Sequence, residues 1–148
     1  MILKRAERGP ETPWHQDEAY WEPDRTYRAC GLWLALDDAT LASGCLHFIP
    51  GSHRRPVQRH RHLRDDPSVH ALEVDPGVDV AGGLPVPVPA GGATFHHCRT
   101  LHYAGPNVTP GDRRAYTTEF QLASAAASEV EPRPWLASGK EAWARRKL

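Results

Sequence analysis

A histidine and a carboxylate stand two residues apart in the segment TPWHQDEAYW, as His15 and Asp17. Along an extended strand, side chains alternate faces, so residues i and i+2 point the same way. The spacing therefore predicts His15 and Asp17 on one face and Gln16 on the other, offering one imidazole and one carboxylate to two adjacent positions of a metal ion. His-x-Asp alone is a common accident. A second imidazole from a distant strand would complete two histidines and one carboxylate on one face of an octahedron, leaving three positions open for a bidentate ligand and O2, the donor set of non-haem Fe(II) oxygenases. The late candidates for that imidazole are His96, His97 and His102, in GATFHHCRTLHYAG.

Such a cluster needs elements that bring residue 15 together with one of residues 96, 97 and 102. Fourteen prolines and twelve glycines punctuate the 148 residues, and that suits short strands and turns better than long helices. Apolar or alternating stretches predict strands at ILKRA (2–6), TPWHQD (12–17), RACGLWLALDD (28–38), CLHFIP (45–50), HALEV (70–74) and LPVPVP (84–89), then at GATFHH, TLHYAG and RRAYTTEFQLA (113–123). RACGLWLALDD is apolar nearly throughout, which predicts cover on both faces. The prolines of LPVPVP place it at a sheet edge. GSHRRPVQRHRHLRDDPS (51–68) reads as an exposed, solvated loop, and only the tail GKEAWARRKL (139–148) has helical character. The pattern is mainly β, a sandwich, jelly roll or barrel with a pocket at one open end.

Composition narrows the partners. Eighteen basic and eighteen acidic residues cancel, so no basic excess exists to hold a phosphate backbone, and nucleic acid is not an expected partner. No apolar run is long enough to span a membrane, and the opening residues lack the apolar core of a signal peptide. Cys30, Cys45 and Cys98 are odd in number and form no C-x-x-C pair. They read as reduced thiols of a cytoplasmic protein. The length suits one domain, residues 1–148.

Four blocks in order, TPWHQDEAYW, GCLHFIPGSH, PAGGATFHHCRTLHYAGPN and RRAYTTEF, resemble the phytanoyl-CoA dioxygenase family of Fe(II)/2-oxoglutarate-dependent oxygenases, over Lys4 to Gln121. The resemblance implies a double-stranded β-helix (a jelly roll, or cupin-like barrel) with a short C-terminal helix. It implies Fe(II), 2-oxoglutarate as cosubstrate, O2 and a small organic substrate that is hydroxylated. His15, Asp17 and His102 match the metal ligands, while His96 and His97 fall outside the ligand set. Arg113, about eleven positions after the distal histidine, matches the residue that clamps the far carboxylate of 2-oxoglutarate, a task suited to a planar guanidinium. Arg114 is expected to face the other way. Lys4 and Trp33 match positions that line the cosubstrate pocket. Ala104 stands where family members often have a serine, and Thr94 or Tyr103 is expected to replace its hydrogen bond. An aspartate at position 17 argues against halogenation, which leaves that coordination place for halide. Two alternatives stand beside this reading: a catalytically reduced or inactive metal- or ligand-binding jelly roll, and an iron/2-oxoglutarate epimerase or isomerase. The resemblance implies a long covering segment before the first barrel strand that these residues do not include, as a fragment would not. The sheet face it covers is therefore expected to be bare, covered by the C-terminal helix or covered by another subunit, and a homo-oligomer, a dimer or larger, is expected.

Overall fold

The computed structural model describes residues 1–122 and 124–137. Among them are strands β1 (Ile2–Lys4), β2 (Thr12–His15), β3 (Arg25–Thr26), β4 (Ala29–Ala35), β5 (Leu46–Phe48), β6 (His60–His62), β7 (Leu72–Val74), β8 (Leu84–Val86), β9 (Ala93–His97), β10 (His102–Ala104), β11 (Arg113–Gln121) and β12 (Ala125–Ala126). Two four-stranded antiparallel sheets, β1-β11-β4-β9 and β2-β10-β5-β8, make the jelly roll. The helix expected over 139–148 lies outside the described residues, whose last helical element is one turn over 134–137. No helix among the described residues is long and apolar enough to cross a membrane.

Alternation decides which side of each sheet is buried. In β4, Ala29, Gly31, Trp33 and Ala35 are buried, while Cys30, Leu32 and Leu34 are only partly so. The strand expected to be covered on both faces is thus covered on one. Its inward face is built of small residues around one large ring. Trp33 packs with Ala35, Ala115, Leu46, Ala104 and Cys45 to form the core between the two sheets. The outward face of the same sheet leaves Leu3, Phe95, Tyr116 and Phe120 exposed. β8 lies at a sheet edge, where Pro85 need not donate to a further ladder.

The segment 51–68 departs from the solvated loop expected of it. It contains β6, which pairs with β7 and buries His60 and His62. Imidazoles are buried readily when backbone groups satisfy them: His60 contacts Gln58 O and the Gln16 amide, and His62 contacts Val69 O and Trp135 O.

One ion cluster fixes the start of the site. A 3-10 turn, Asp17–Tyr20, follows β2 directly. Glu18 within it is 1% exposed. It accepts from Arg99 Nε at 2.7 Å and Arg99 Nη2 at 3.0 Å, and Arg133 Nη2 lies 3.3 Å from its Oε1. Arg133 Nη1 also donates to the backbone carbonyls of Glu18 and Trp21. Removing the anion would strand two guanidinium groups, one of them buried, a loss of about 3–5 kcal/mol. Glu18→Gln should therefore lower the free energy of urea-induced unfolding by roughly that amount. Asp37→Asn, which breaks the solvent-facing pair with Arg114, should change it far less.

Candidate metal centre

His15 ends β2 and His102 opens β10, and the ladder between these strands places the two residues opposite one another. Their ring centroids are 4.1 Å apart. Asp17 arrives differently from the expected strand alternation. β2 stops at His15, Gln16 turns its side chain into the interior to join Arg99 O and the Gln58 amide, and Asp17 begins the 3-10 turn. Its Oδ1 lies 3.5 Å from Nε2 of both His15 and His102. One donor atom from each of the three residues lies within 4.8 Å of the others.

The protonation pattern suits a cation. His15 Nδ1 lies 2.8 Å from Pro13 O, and His102 Nδ1 lies 2.9 Å from Thr100 O. A carbonyl only accepts, so both Nδ1 atoms carry the proton and both Nε2 lone pairs point inward, the tautomer a metal ligand requires. Burial pushes the Asp17 carboxyl up, but His102, His15 and His96 outweigh it and hold the group well below the ordinary carboxylate range. Burial, with His15 beside it, lowers His102 to about 3. At neutral pH, Asp17 is therefore an anion and His102 is uncharged.

A cavity of about 160 Å3 opens from these ligands, and Arg113, Trp33, Leu46 and Ala104 form part of its wall. Arg113 is 1% exposed. Its Nε donates to Ser43 O at 3.3 Å and its Nη2 to Gly44 O at 3.0 Å, while its cationic centre sits 5.1 Å from the centre of the Trp33 ring. Its Nη1 is buried without a partner. Burial lowers its pKa, as expected of a guanidinium that lacks a counter-anion. Arg114 points outward into a two-point pair with Asp37. Gly44 has φ +83°, and a Cβ there would stand 2.3 Å from Gly105 O, so the turn that aims its carbonyl at Arg113 requires glycine.

Lys4 and Thr94 lie beside this cavity rather than on its wall. Lys4 is opposite Arg113 in the β1–β11 ladder, and its Nζ donates to Pro10 O and Ala104 O. The Thr94 hydroxyl, on the residue opposite Trp33, is buried without a partner. His96 lines the cavity, 3.4 Å from Asp17 Oδ2, whereas His97 turns toward His53. Tyr103 donates to Glu11 at 2.7 Å, away from the ligands. Sequence reasoning missed the carbonyls of Ser43 and Gly44, and it missed Thr117 and Glu119. These last two share the inward face of β11 with Arg113, so parity along that strand is the signal that finds them. Glu119 is exposed and off the cavity wall; partial loss of hydration and the Asp17 charge raise it to about 7.

The residues fit the implied groups. Two imidazoles and a carboxylate offer a facial donor set, and the unpartnered Nη1 of Arg113 offers a buried donor to an anion in the same cavity. Residues 1–115 match the family described as phytanoyl-CoA dioxygenase (PhyH). The chain belongs to the phytanoyl-CoA dioxygenase family. Among members of that family, phytanoyl-CoA dioxygenase domain-containing protein 1 of Rattus norvegicus is 37% identical over 139 residues, covering 91% of this chain and 47% of the rat protein. The chain spans about half the length of the curated relatives it matches. Among solved structures, EvdO2 from Micromonospora carbonacea var. aurantiaca complexed with 2-oxoglutarate superposes with a TM-score of 0.86 at 47% identity, over 91% of this chain and 55% of that one. The epimerase SnoN, in complex with Fe3+, alpha ketoglutarate and nogalamycin RO, superposes with a TM-score of 0.61 at 30% identity, over 88% of this chain and 50% of its own.

The geometry yields a metal-binding prediction. In anaerobic Fe(II) titrations, His15→Ala, Asp17→Ala and His102→Ala should each weaken binding beyond the roughly 10–100-fold typical of outer residues. His97→Ala should leave it unchanged, because its ring faces His53.

Proposed function

We propose that this protein is an Fe(II)- and 2-oxoglutarate-dependent oxygenase that hydroxylates a small organic substrate. The observation that carries the reading is a buried guanidinium with a free donor, Arg113 Nη1, in one cavity with two imidazoles and a carboxylate. His15, Asp17 and His102 would hold the iron. Bound iron and 2-oxoglutarate, with O2, supply an oxidant able to functionalise an unactivated C–H bond. The chain's own residues bind, orient and exclude water. Arg113 grips the far carboxylate of the cosubstrate through charge-assisted hydrogen bonds, while the carbonyls of Ser43 and Gly44 fix the plane of its fork. Trp33 walls the guanidinium and keeps water from it. The free Thr94 hydroxyl supports a cosubstrate contact in place of the serine replaced by Ala104. Lys4 contributes positive charge beside Arg113 while remaining bound to backbone carbonyls.

Wild-type protein with Fe(II) should convert 2-oxoglutarate to succinate, even uncoupled from any substrate; no succinate under aerobic turnover would sink the reading. Arg113→Ala should weaken 2-oxoglutarate binding about thirty-fold or more, the loss of a desolvated ion pair worth roughly 2–5 kcal/mol, with Fe(II) affinity nearly intact. Arg113→Lys should recover only part, since an ammonium cannot make the planar two-point contact. Arg114→Ala is the control, because its side chain already faces Asp37 on the far side of the strand. An epimerase is the second reading, favoured by the likeness to SnoN. Product analysis separates the two: an inverted centre without added oxygen would mark epimerisation.

The exposed apolar side chains Leu3, Phe95, Tyr116 and Phe120 on the outward face of β1-β11-β4-β9 support a homodimer. Light scattering should give twice the chain mass, and a monomer across micromolar concentrations would overturn this. The three free cysteines and the balanced charge support a cytoplasmic protein that does not bind nucleic acid or membrane.

A further inference from the structure

We propose that His96 is a positioning residue for the Asp17 carboxylate. Its Nε2–H holds Oδ2, so that Asp17 presents Oδ1 alone to a metal bound by His15, Asp17 and His102. The inference rests on the proposed iron site and goes beyond it by assigning a third imidazole.

The two oxygens of Asp17 face different partners. Oδ1 lies 3.5 Å from Nε2 of His15 and of His102, and Oδ2 lies 3.4 Å from Nε2 of His96. The His96 side chain is 8% exposed, with its ring centroid 5.2 Å from that of Phe48 and 4.7 Å from that of His102. Its other nitrogen, Nδ1, is buried and has no hydrogen-bond partner. In this it differs from His15 and His102, whose Nδ1 protons go to backbone carbonyls. Carbonyls fix the protons of His15 and His102 on Nδ1 and leave their Nε2 lone pairs for a cation, but nothing holds a proton on His96 Nδ1, and a bare His96 Nε2 would set its lone pair against Oδ2 with no cation assigned between them. The tautomer with the proton on Nε2 removes that repulsion and turns the approach into a charge-assisted contact.

The fold reserves the seat for this ring. Gly31 is the partner of His96 across the β4–β9 ladder. A Cβ at Gly31 would stand 3.0 Å from His96 Nε2 and 3.1 Å from Cε1, so any larger residue presses on the edge of the ring that faces Asp17. The neighbouring His97 points to the other side of the strand. The chemical purpose is economy of coordination. A carboxylate free at both oxygens can chelate a metal and occupy two positions. A carboxylate whose second oxygen is engaged stays monodentate and leaves a position open for cosubstrate or O2.

The test compares wild type, His96→Phe, His96→Gln, Gly31→Ala and His102→Ala, each titrated anaerobically with Fe(II) and then with 2-oxoglutarate, with unfolding followed alongside. His96→Phe fills the seat but cannot donate. It should weaken Fe(II) binding on the order of ten-fold and displace the visible charge-transfer band of the Fe(II)–2-oxoglutarate chelate. His96→Gln, whose amide nitrogen reaches near the place of Nε2, should restore most of both. Gly31→Ala keeps every functional side chain and should move the band in the direction of His96→Phe. Nitrogen-15 NMR of the metal-free wild type should find the His96 proton on Nε2, a readout that needs no variant and no iron. His96→Phe binding iron like wild type would overturn the proposal. So would a loss as complete as that of His102→Ala, which would make His96 a ligand, or a proton found on Nδ1. Wild-type protein that binds no Fe(II) would instead remove the iron-site reading, and the proton position would still decide whether His96 holds Asp17.

Discussion

Glu18 gives up nearly all of its hydration to sit between Arg99 and Arg133, and the placement of the site follows from that exchange. A buried carboxylate is tolerated only when paired and hydrogen-bonded. The partners that satisfy Glu18 come from the turn after β9 and from Arg133, just before the last described turn of the chain. The ion cluster thus ties two distant parts of the sequence to a single 3-10 turn. Gln16 on one side and Glu18 on the other are both directed inward, and Asp17 between them is left facing His15 and His102. The ligand set is positioned by its neighbours' burial as much as by its own contacts.

Electrostatics inside the barrel are arranged as a separation of roles. The negative charge of Asp17 sits among imidazoles, and the positive charge of Arg113 sits among carbonyl oxygens and an aromatic face. Neither neutralises the other, so each keeps an unmet capacity: Asp17 toward a cation, Arg113 toward an anion. Small inward residues, Ala104 and Ala115 among them, keep the space between the two sheets from filling with side chains. A core packed for stability alone would close that space with larger apolar groups.

Much of this was legible in the sequence where a two-residue period governs. Parity along β11 put Arg113 and Arg114 on opposite faces, whereas His102 was singled out from His96 and His97 by the resemblance, and its place opposite His15 in the β2–β10 ladder was not readable from the period. The jelly roll itself followed from short strands, turn residues and the resemblance of four blocks. Legibility ended where burial of polar groups overrode the period. Asp17 was expected on a strand and opens a 3-10 turn, because Glu18 must reach its two arginines. Segment 51–68 was expected to be solvated, yet His60 and His62 go inside on backbone partners that composition cannot display. The apolar run of β4 was expected to be covered twice, but apolar character does not reveal which face finds a partner. Lys4 fell beside the cavity because carbonyls of Pro10 and Ala104 reach its ammonium first.

Gly44 never approaches the cavity with a side chain, yet its carbonyl orients the guanidinium of Arg113 and its turn admits no Cβ. In the proposed function, grip on the cosubstrate would therefore be encoded partly in a main-chain atom. On that proposal, a substitution at this turn would weaken affinity for a small dicarboxylate, although the substituted residue touches none. The glycine and the arginine, sixty-nine positions apart in the chain, are joined there by one hydrogen bond.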